Sequence, residues 1–203
     1  SIAHSTIDAA GRTTSSTDSN GNTVTFGFDS TYGYPDRAFY TVSVNGNPLM
    51  TQVALRPADG QPSRTTDQNG HVTHYCYDSQ SRLIAGFLPP SDGSSLSNPC
   101  ADLGSPSAPA ANMKFTYSVG TWGSWWQTHG ANIVVTSALQ SGSTNADAVR
   151  VESAAYIDGL GRTRETQAWS PTSGKIIVSA TLYDDRGLTA TTIDPFAIAD
   201  TAP

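Results

Sequence analysis

Four groups of residues have the types and spacing to do chemistry. Asp18, Asn20, Asn22 and Asp29 fall at the first, third, fifth and twelfth positions of a twelve-residue window, the spacing of oxygen ligands in a calcium loop. The glycine such a loop needs at position six is replaced by Thr23, and the second half alternates like a strand. A related window places His71 at the fifth position. Turn chemistry accounts for both windows, because Asp and Asn side chains bond their own backbone. Cys76 follows His74 by two residues, so on a strand both point the same way, with no third partner defined. His71 and His74 are three apart and face opposite sides of a strand, which is poor geometry for a metal. Asp158, Asp184 and Asp185 supply carboxylates, but glycoside hydrolysis needs two acids facing each other across a cleft, and these sit in a recurring turn sequence. No nucleophile elbow and no Gly-rich loop opening a helix is present, so neither a serine hydrolase nor a nucleotide site is expected, and no cofactor is implied.

The aromatic stretch VGTWGSWWQTHG gathers Trp122, Trp125 and Trp126 around Gly120 and Gly123. Exposed tryptophan faces stack on sugar rings, and Gln127 or His129 would add hydrogen bonds. The same residues also suit internal packing, the lining of an enclosed space, or a contact with a neighbouring chain. Trp169 reads as a core residue at the end of a strand. The two cysteines, Cys76 and Cys100, allow one disulfide, which fits a secreted protein; two free buried thiols fit as well.

The elements that must position these residues are strands. Of 203 residues, 17 are acidic and 11 basic, giving a formal charge of -6. Glu152 and Glu165 are the only glutamates and Lys114 and Lys175 the only lysines, so strong helix formers are scarce. Thr, Val and Tyr favour strands, and Gly and Asp favour turns. The acidic balance and scattered arginines argue against a nucleic-acid or anionic-membrane partner. No apolar run approaches the ~18–20 residues of a membrane-spanning helix. The sequence lacks an initiator Met and a signal-like apolar run at its start, and reads as if cut from something longer.

Internal similarity is the strongest signal. Residues 18–29, DSNGNTVTFGFD, align with residues 67–78, DQNGHVTHYCYD, at a constant offset of 49. Asn20-Gly21 and Asn69-Gly70 are tight-turn dipeptides. Val24, Phe26 and Phe28 share one strand face, as do Tyr75 and Tyr77. A shorter signature, Asp, two residues, then Gly, recurs from Asp8 to Gly11, Asp18 to Gly21, Asp67 to Gly70, Asp158 to Gly161 and Asp184 to Gly187; after Asp78, Ser81 takes the Gly position. These glycines answer to backbone geometry. Residues 89–111 and 137–148 read as exposed loop insertions within a single region spanning 1–203.

HYCYDSQSRLIAGFLP (residues 74–89), YIDGLGRTRETQ (156–167) and LYDDRGLTATTIDP (182–195) resemble YD repeats of the RHS family, which includes bacterial polymorphic toxins, the B and C components of insecticidal toxin complexes, and teneurins. Tyr77-Asp78 and Tyr183-Asp184 carry the signature, with Phe28-Asp29 and Ile157-Asp158 as substituted forms. The resemblance implies an all-β fold in which hairpins join into one continuous, spiralling antiparallel sheet, a hollow shell around a passenger such as a toxin. This chain would be a section of that wall. Asp194-Pro195 lacks the surroundings of the family's self-cleaving aspartate segment, so no protease role is carried over. The implied partners are flanking shell polypeptide or other copies of the chain and a passenger toxin, in a secreted or cell-surface setting. The rival expectation is an adhesion module binding glycan or receptor through Trp122, Trp125 and Trp126.

Overall fold

The structure is a computed structural model and describes residues 3–44, 47–119, 132–170 and 174–199. The described residues form fourteen β-strands and no helix. Strands pair antiparallel with their chain neighbours, and sheet order is chain order. The expected all-β, antiparallel hairpin architecture is the one the chain adopts. It divides into two compact units, one of Ser1–Arg82 with Gly86–Ala101, the other of Leu83–Ala85 with Asp102–Pro203.

The first unit holds β1 (His4–Ile7), β2 (Thr13–Thr17), β3 (Thr23–Phe28), β4 (Pro35–Val44), β5 (Asn47–Leu55), β6 (Pro62–Thr66) and β7 (Val72–Tyr77). The strand β8 (Leu83–Phe87) is shared out between the two units. Asn20-Gly21 and Asn69-Gly70 each close a hairpin, β2–β3 and β6–β7, with registers Thr17↔Thr23 and Thr66↔Val72. Cys76 is buried on β7 and joined to Cys100, with Cα atoms 5.4 Å apart. Phe87 is fully buried, which contributes about 1.5–3 kcal/mol relative to exposure.

The second unit holds β9 (Met113–Val119), β10 (Asn132–Ser141), β11 (Val149–Ile157), β12 (Thr163–Ser170), β13 (Lys175–Tyr183) and β14 (Thr189–Ala199). Cross-strand partners share a face, so Ile133↔Tyr156 and Val135↔Ala154 fix the core cluster of this unit. Gln167↔Val178 and Trp169↔Ile176 extend the same face to β13, where Ile176 and Val178 are buried. Trp169 is half-buried at the end of β12, where the sequence placed it. In β14, Asp194 and Pro195 fall where the register with β13 shifts between Val178 and Ala180. A bulge there accommodates a residue with no N–H to donate.

Two stretches differ from the sequence expectation. Within 89–111, Ala108, Ala110 and Ala111 are buried rather than exposed. Small side chains let this segment pack closely, and its backbone is satisfied from the other stretch: Ala110 N donates to Ser143 O, and Asn145 N to Ala108 O. Residues 137–141 belong to β10, with a register shift between Leu139 and Ser141. Asn145 Nδ2 donates to Leu103 O and Ser105 O, and its Oδ1 accepts from Lys114 Nζ at 2.9 Å. Arg150 Nη2 donates to Ala111 O at 2.7 Å. One asparagine thus ties three segments, and that tie has no periodic signature in sequence.

Candidate functional site

The recurring feature of this chain is a turn rather than a cleft. After β1, Asp8 N donates to Arg12 O and Gly11 N donates to Asp8 O, closing a tight loop. Asp8 Oδ1 accepts from Ala10 N and Arg12 N, both at 2.9 Å, while Oδ2 accepts from Arg12 Nε at 2.8 Å. Gly11 has φ +79°, a conformation glycine adopts without strain. The same bonds form at Asp78 with Arg82 and at Asp158 with Arg162. At Asp18 the partner is Asn22 and at Asp67 it is His71, which take the place of the arginine. At Asp184, Leu188 N donates to the carboxylate while Arg186 supplies the guanidinium. Ser81 takes the glycine position at φ 61°.

These bonds account for Asp18, Asp158 and Asp184 among the acids singled out as chemical candidates. The carboxyl of Asp158 is held down at about 2, first by the backbone N–H of Arg162 and then by its side chain. Asp18 is lowered by the side chain and backbone of Asn22, and Asp184 by the backbone of Leu188. Each is an ionised turn acceptor whose donors come from its own loop. His71 is engaged with Asp67 at 3.2 Å, and His74 lies on β7 directly opposite Arg64. Among the described residues no three His, Cys, Asp or Glu side chains gather as a metal site.

The turn arginines have a second role that the sequence reading did not assign. The guanidinium of Arg12 lies 4.3 Å over the Phe28 ring, that of Arg56 lies 4.6 Å over Tyr77, and that of Arg162 lies 4.2 Å over Tyr183. In each case the ring belongs to the residue just before the next turn aspartate on the same side, two strands on. The tyrosine hydroxyls complete the contact. Tyr77 Oη donates to Pro62 O and Tyr183 Oη to Thr163 O, both at 2.9 Å. Tyr117 Oη makes the same bond to Leu83 O at 2.9 Å. The acceptor is the first residue of the preceding strand each time. The glycine after the ring is also used: a Cβ on Gly33 would meet Arg12 Nη1 at 3.1 Å, and one on Gly187 would meet Arg162 Nη1 at 2.8 Å. So a turn presents Arg, and the next turn on that side lays an aromatic ring against it, with a glycine as well at Gly33 and Gly187. Cation–π contacts of this exposure contribute ~0.5–1 kcal/mol each. The usable signal in sequence was Arg four residues after Asp in DAAGR and DGLGR, combined with the aromatic before the following Asp.

Concave surfaces are shallow, and one of them borders the Arg12–Phe28 contact. A groove of about 580 Å³ is lined by Ser5, Arg12, Phe26, Phe28 and Pro35. One of about 390 Å³ beside the Cys76–Cys100 link is lined by Arg64, His74, Ser97 and Asn98. Burial there lowers His74, and Arg64 adds to the shift, against a backbone contact with Leu96. Trp122, Trp125 and Trp126, the candidate glycan contact, lie outside the described residues.

No family model and no curated protein matches the sequence. Solved structures do resemble the fold. The crystal structure of TcdB2-TccC3 matches 98% of this chain and 11% of that chain, with TM-score 0.71 and 14% identity. That of TcdB2-TccC3-TEV matches 98% and 13%, with TM-score 0.74 and 12% identity. That of TcdB2-TccC3 without the hypervariable C-terminal region gives 98% and 13%, with TM-score 0.73 and 13% identity. This chain therefore shares their fold while spanning about an eighth of their length.

Proposed function

We propose that this chain is a wall section of an RHS-type YD-repeat shell, a structural element with no catalysis of its own. Its work is to continue a sheet that encloses or presents a toxin or other passenger polypeptide, in a secreted or cell-surface setting. The observation that carries the reading is the contact of a turn Arg with an aromatic ring two strands on, made at Phe28, Tyr77 and Tyr183, because it couples neighbouring hairpins rather than a hairpin to a substrate. The sequence resemblance to YD repeats and the fold shared with TcdB2-TccC3 support it. Asp158 and Asp184, two of the acids that would serve catalysis, are bonded within turns, which favours a mechanical use for them. The partners of such a wall are flanking shell polypeptide or other copies of the chain, not nucleic acid. Among the described residues no helix is long and apolar enough to cross a membrane.

Limited proteolysis of the native material tests this. A polypeptide enclosed by the sheet resists trypsin until guanidinium unfolds the wall. Cleavage of that polypeptide at its unfolded rate in native buffer refutes the reading. The adhesion alternative predicts instead that glycan binding falls on replacing Trp122, Trp125 and Trp126 with Ala.

A further inference from the structure

One covalent bond of the first unit borders a concave, positively charged surface. The groove of about 390 Å³ beside β7 is lined by both residues of the Cys76–Cys100 link. The two differ in access: Cys76 is 3% exposed, whereas Cys100 is half-buried in the loop that follows β8. A thiolate that reaches the link from solvent therefore meets Cys100 first. Arg56, Arg64 and His74 also line the groove, and no carboxylate does. In this unit Arg12, Arg37, Arg56 and Arg82 each pair with an aspartate. Arg64 is exposed and, among the described residues, has no such partner. It lies directly opposite His74, on the face of β7 that Cys76 shares. An unneutralised guanidinium thus stands in the same groove as an accessible sulfur.

We propose that this groove takes a small thiol carrying a second, anionic group, a carboxylate or sulfonate, and that Cys100 is the residue the thiol attaches to. The anionic group seats on Arg64, and Asn98 supplies a hydrogen-bonding amide beside it. The thiolate attacks Cys100 Sγ and forms a new sulfur–sulfur bond as the Cys76–Cys100 bond breaks. The electron pair of the broken bond leaves on Cys76, whose thiolate takes a proton from water. A second molecule of the thiol attacks the reagent's sulfur in the mixed disulfide. Cys100 then leaves as a thiolate, and the reagent departs as its own symmetric disulfide. Two thiols are oxidised and one protein disulfide is reduced. Opening the bond frees the loop after β8 from β7, so the link acts as a strap that an anionic reducing thiol undoes. The inference needs only the groove and the bond and stands apart from enclosure of a passenger, which trypsin protection reads separately.

The test follows opening of the bond in the folded, whole chain by three thiols of similar size and different charge: 2-mercaptoethanesulfonate, 2-mercaptoethanol and cysteamine. Rates are expressed per thiolate, and early adducts are trapped by acid and mapped by mass spectrometry. The chain has two cysteines, so the map is unambiguous, and the first adduct is expected on Cys100. Arg64→Gln removes one unit charge and lowers the ratio of the sulfonate rate to the amine rate by ~5-fold. The intrinsic reactivity of each thiol cancels in that comparison. Arg64→Lys keeps the charge and holds the ratio to within ~2-fold of wild type. Raising sodium chloride to ~0.5 M moves the wild-type ratio toward that of Arg64→Gln. Arg64 is exposed, and circular dichroism identical to wild type establishes that the variants fold. A ratio that ignores Arg64→Gln, a first adduct on Cys76, or a bond that opens only in denaturant overturns the proposal.

Discussion

Opening the Cys76–Cys100 link is the perturbation with the clearest magnitude. The bond spans 24 positions and closes the segment that runs from β7 through β8 and back to the face of β7. In the unfolded chain that closure removes conformational freedom. For a loop of this length the chain-entropy relation gives about 3.4 kcal/mol at 25 °C. Little compensating loss is expected in the native state, since Cys76 is already buried and the Cα atoms sit 5.4 Å apart. The variant is Cys76→Ala with Cys100→Ala, compared with wild type in the presence and absence of reductant. Urea-dependent hydrogen exchange at the β6 and β7 amides reads the opening free energy of the strands the bond straps. Reduced wild type and the double variant should both fall by about 3 kcal/mol, with residues 89–101 exchanging first. A loss below ~1 kcal/mol refutes the reasoning, because it means the segment is held by contacts that order the unfolded chain equally well.

Four further outcomes follow from the geometry. A double-mutant cycle of Arg162→Gln and Tyr183→Leu, read by urea unfolding, should give a coupling of ~0.5–1 kcal/mol, and additivity within ~0.2 kcal/mol would remove the ladder as a source of stability. Asn145→Ala strands the carbonyls of Leu103 and Ser105 and should cost ~1–3 kcal/mol, with exchange rising across 102–111 before the strands. Gly142→Ala meets Asp147 O at 2.5 Å with φ +99° and should lower the melting temperature far more than Gly21→Ala, where φ is +88° but the space is open; equal losses would contradict this. Stability against pH should fall in two steps. His74, lowered by burial, favours the fold when neutral, so its contribution is complete above the ordinary histidine value of 6.5 and declines as pH drops below it. Asp158, depressed from 3.8 to about 2, favours the fold when ionised, so its contribution holds above 3.8 and is lost as pH falls through 2. His74→Gln should abolish only the first step in a thermal-melt series.

The turns were legible because Asp-x-x-Gly carries its own geometry: one carboxylate, two backbone donors and one left-handed residue, all within five positions. The strands were legible from Thr, Val and Tyr in alternation. The Cys76–Cys100 pair was open as one of two alternatives, since separation alone does not bring two thiols together. What escaped was coupling across distance. Arg12 meets Phe28 and Arg162 meets Tyr183 only because an intervening pair of strands returns the chain to the same side. Residues 89–111 looked exposed because Pro, Ser and Gly dominate them, yet three alanines suffice for close packing once Asn145 collects the free carbonyls.

The two-strand spacing of the ladder constrains how such a chain can change length. Removing or inserting one strand reverses the direction of all that follow and carries every later turn to the opposite side. Arg12 would then face a turn of the wrong kind, and the tyrosine hydroxyls would lose their carbonyls. A change of two strands preserves every rung. The structure therefore enforces a parity rule: lineages of this fold should gain and lose hairpins in whole units, and single-strand indels should be confined to places, such as residues 89–112, where a long loop can restore the count.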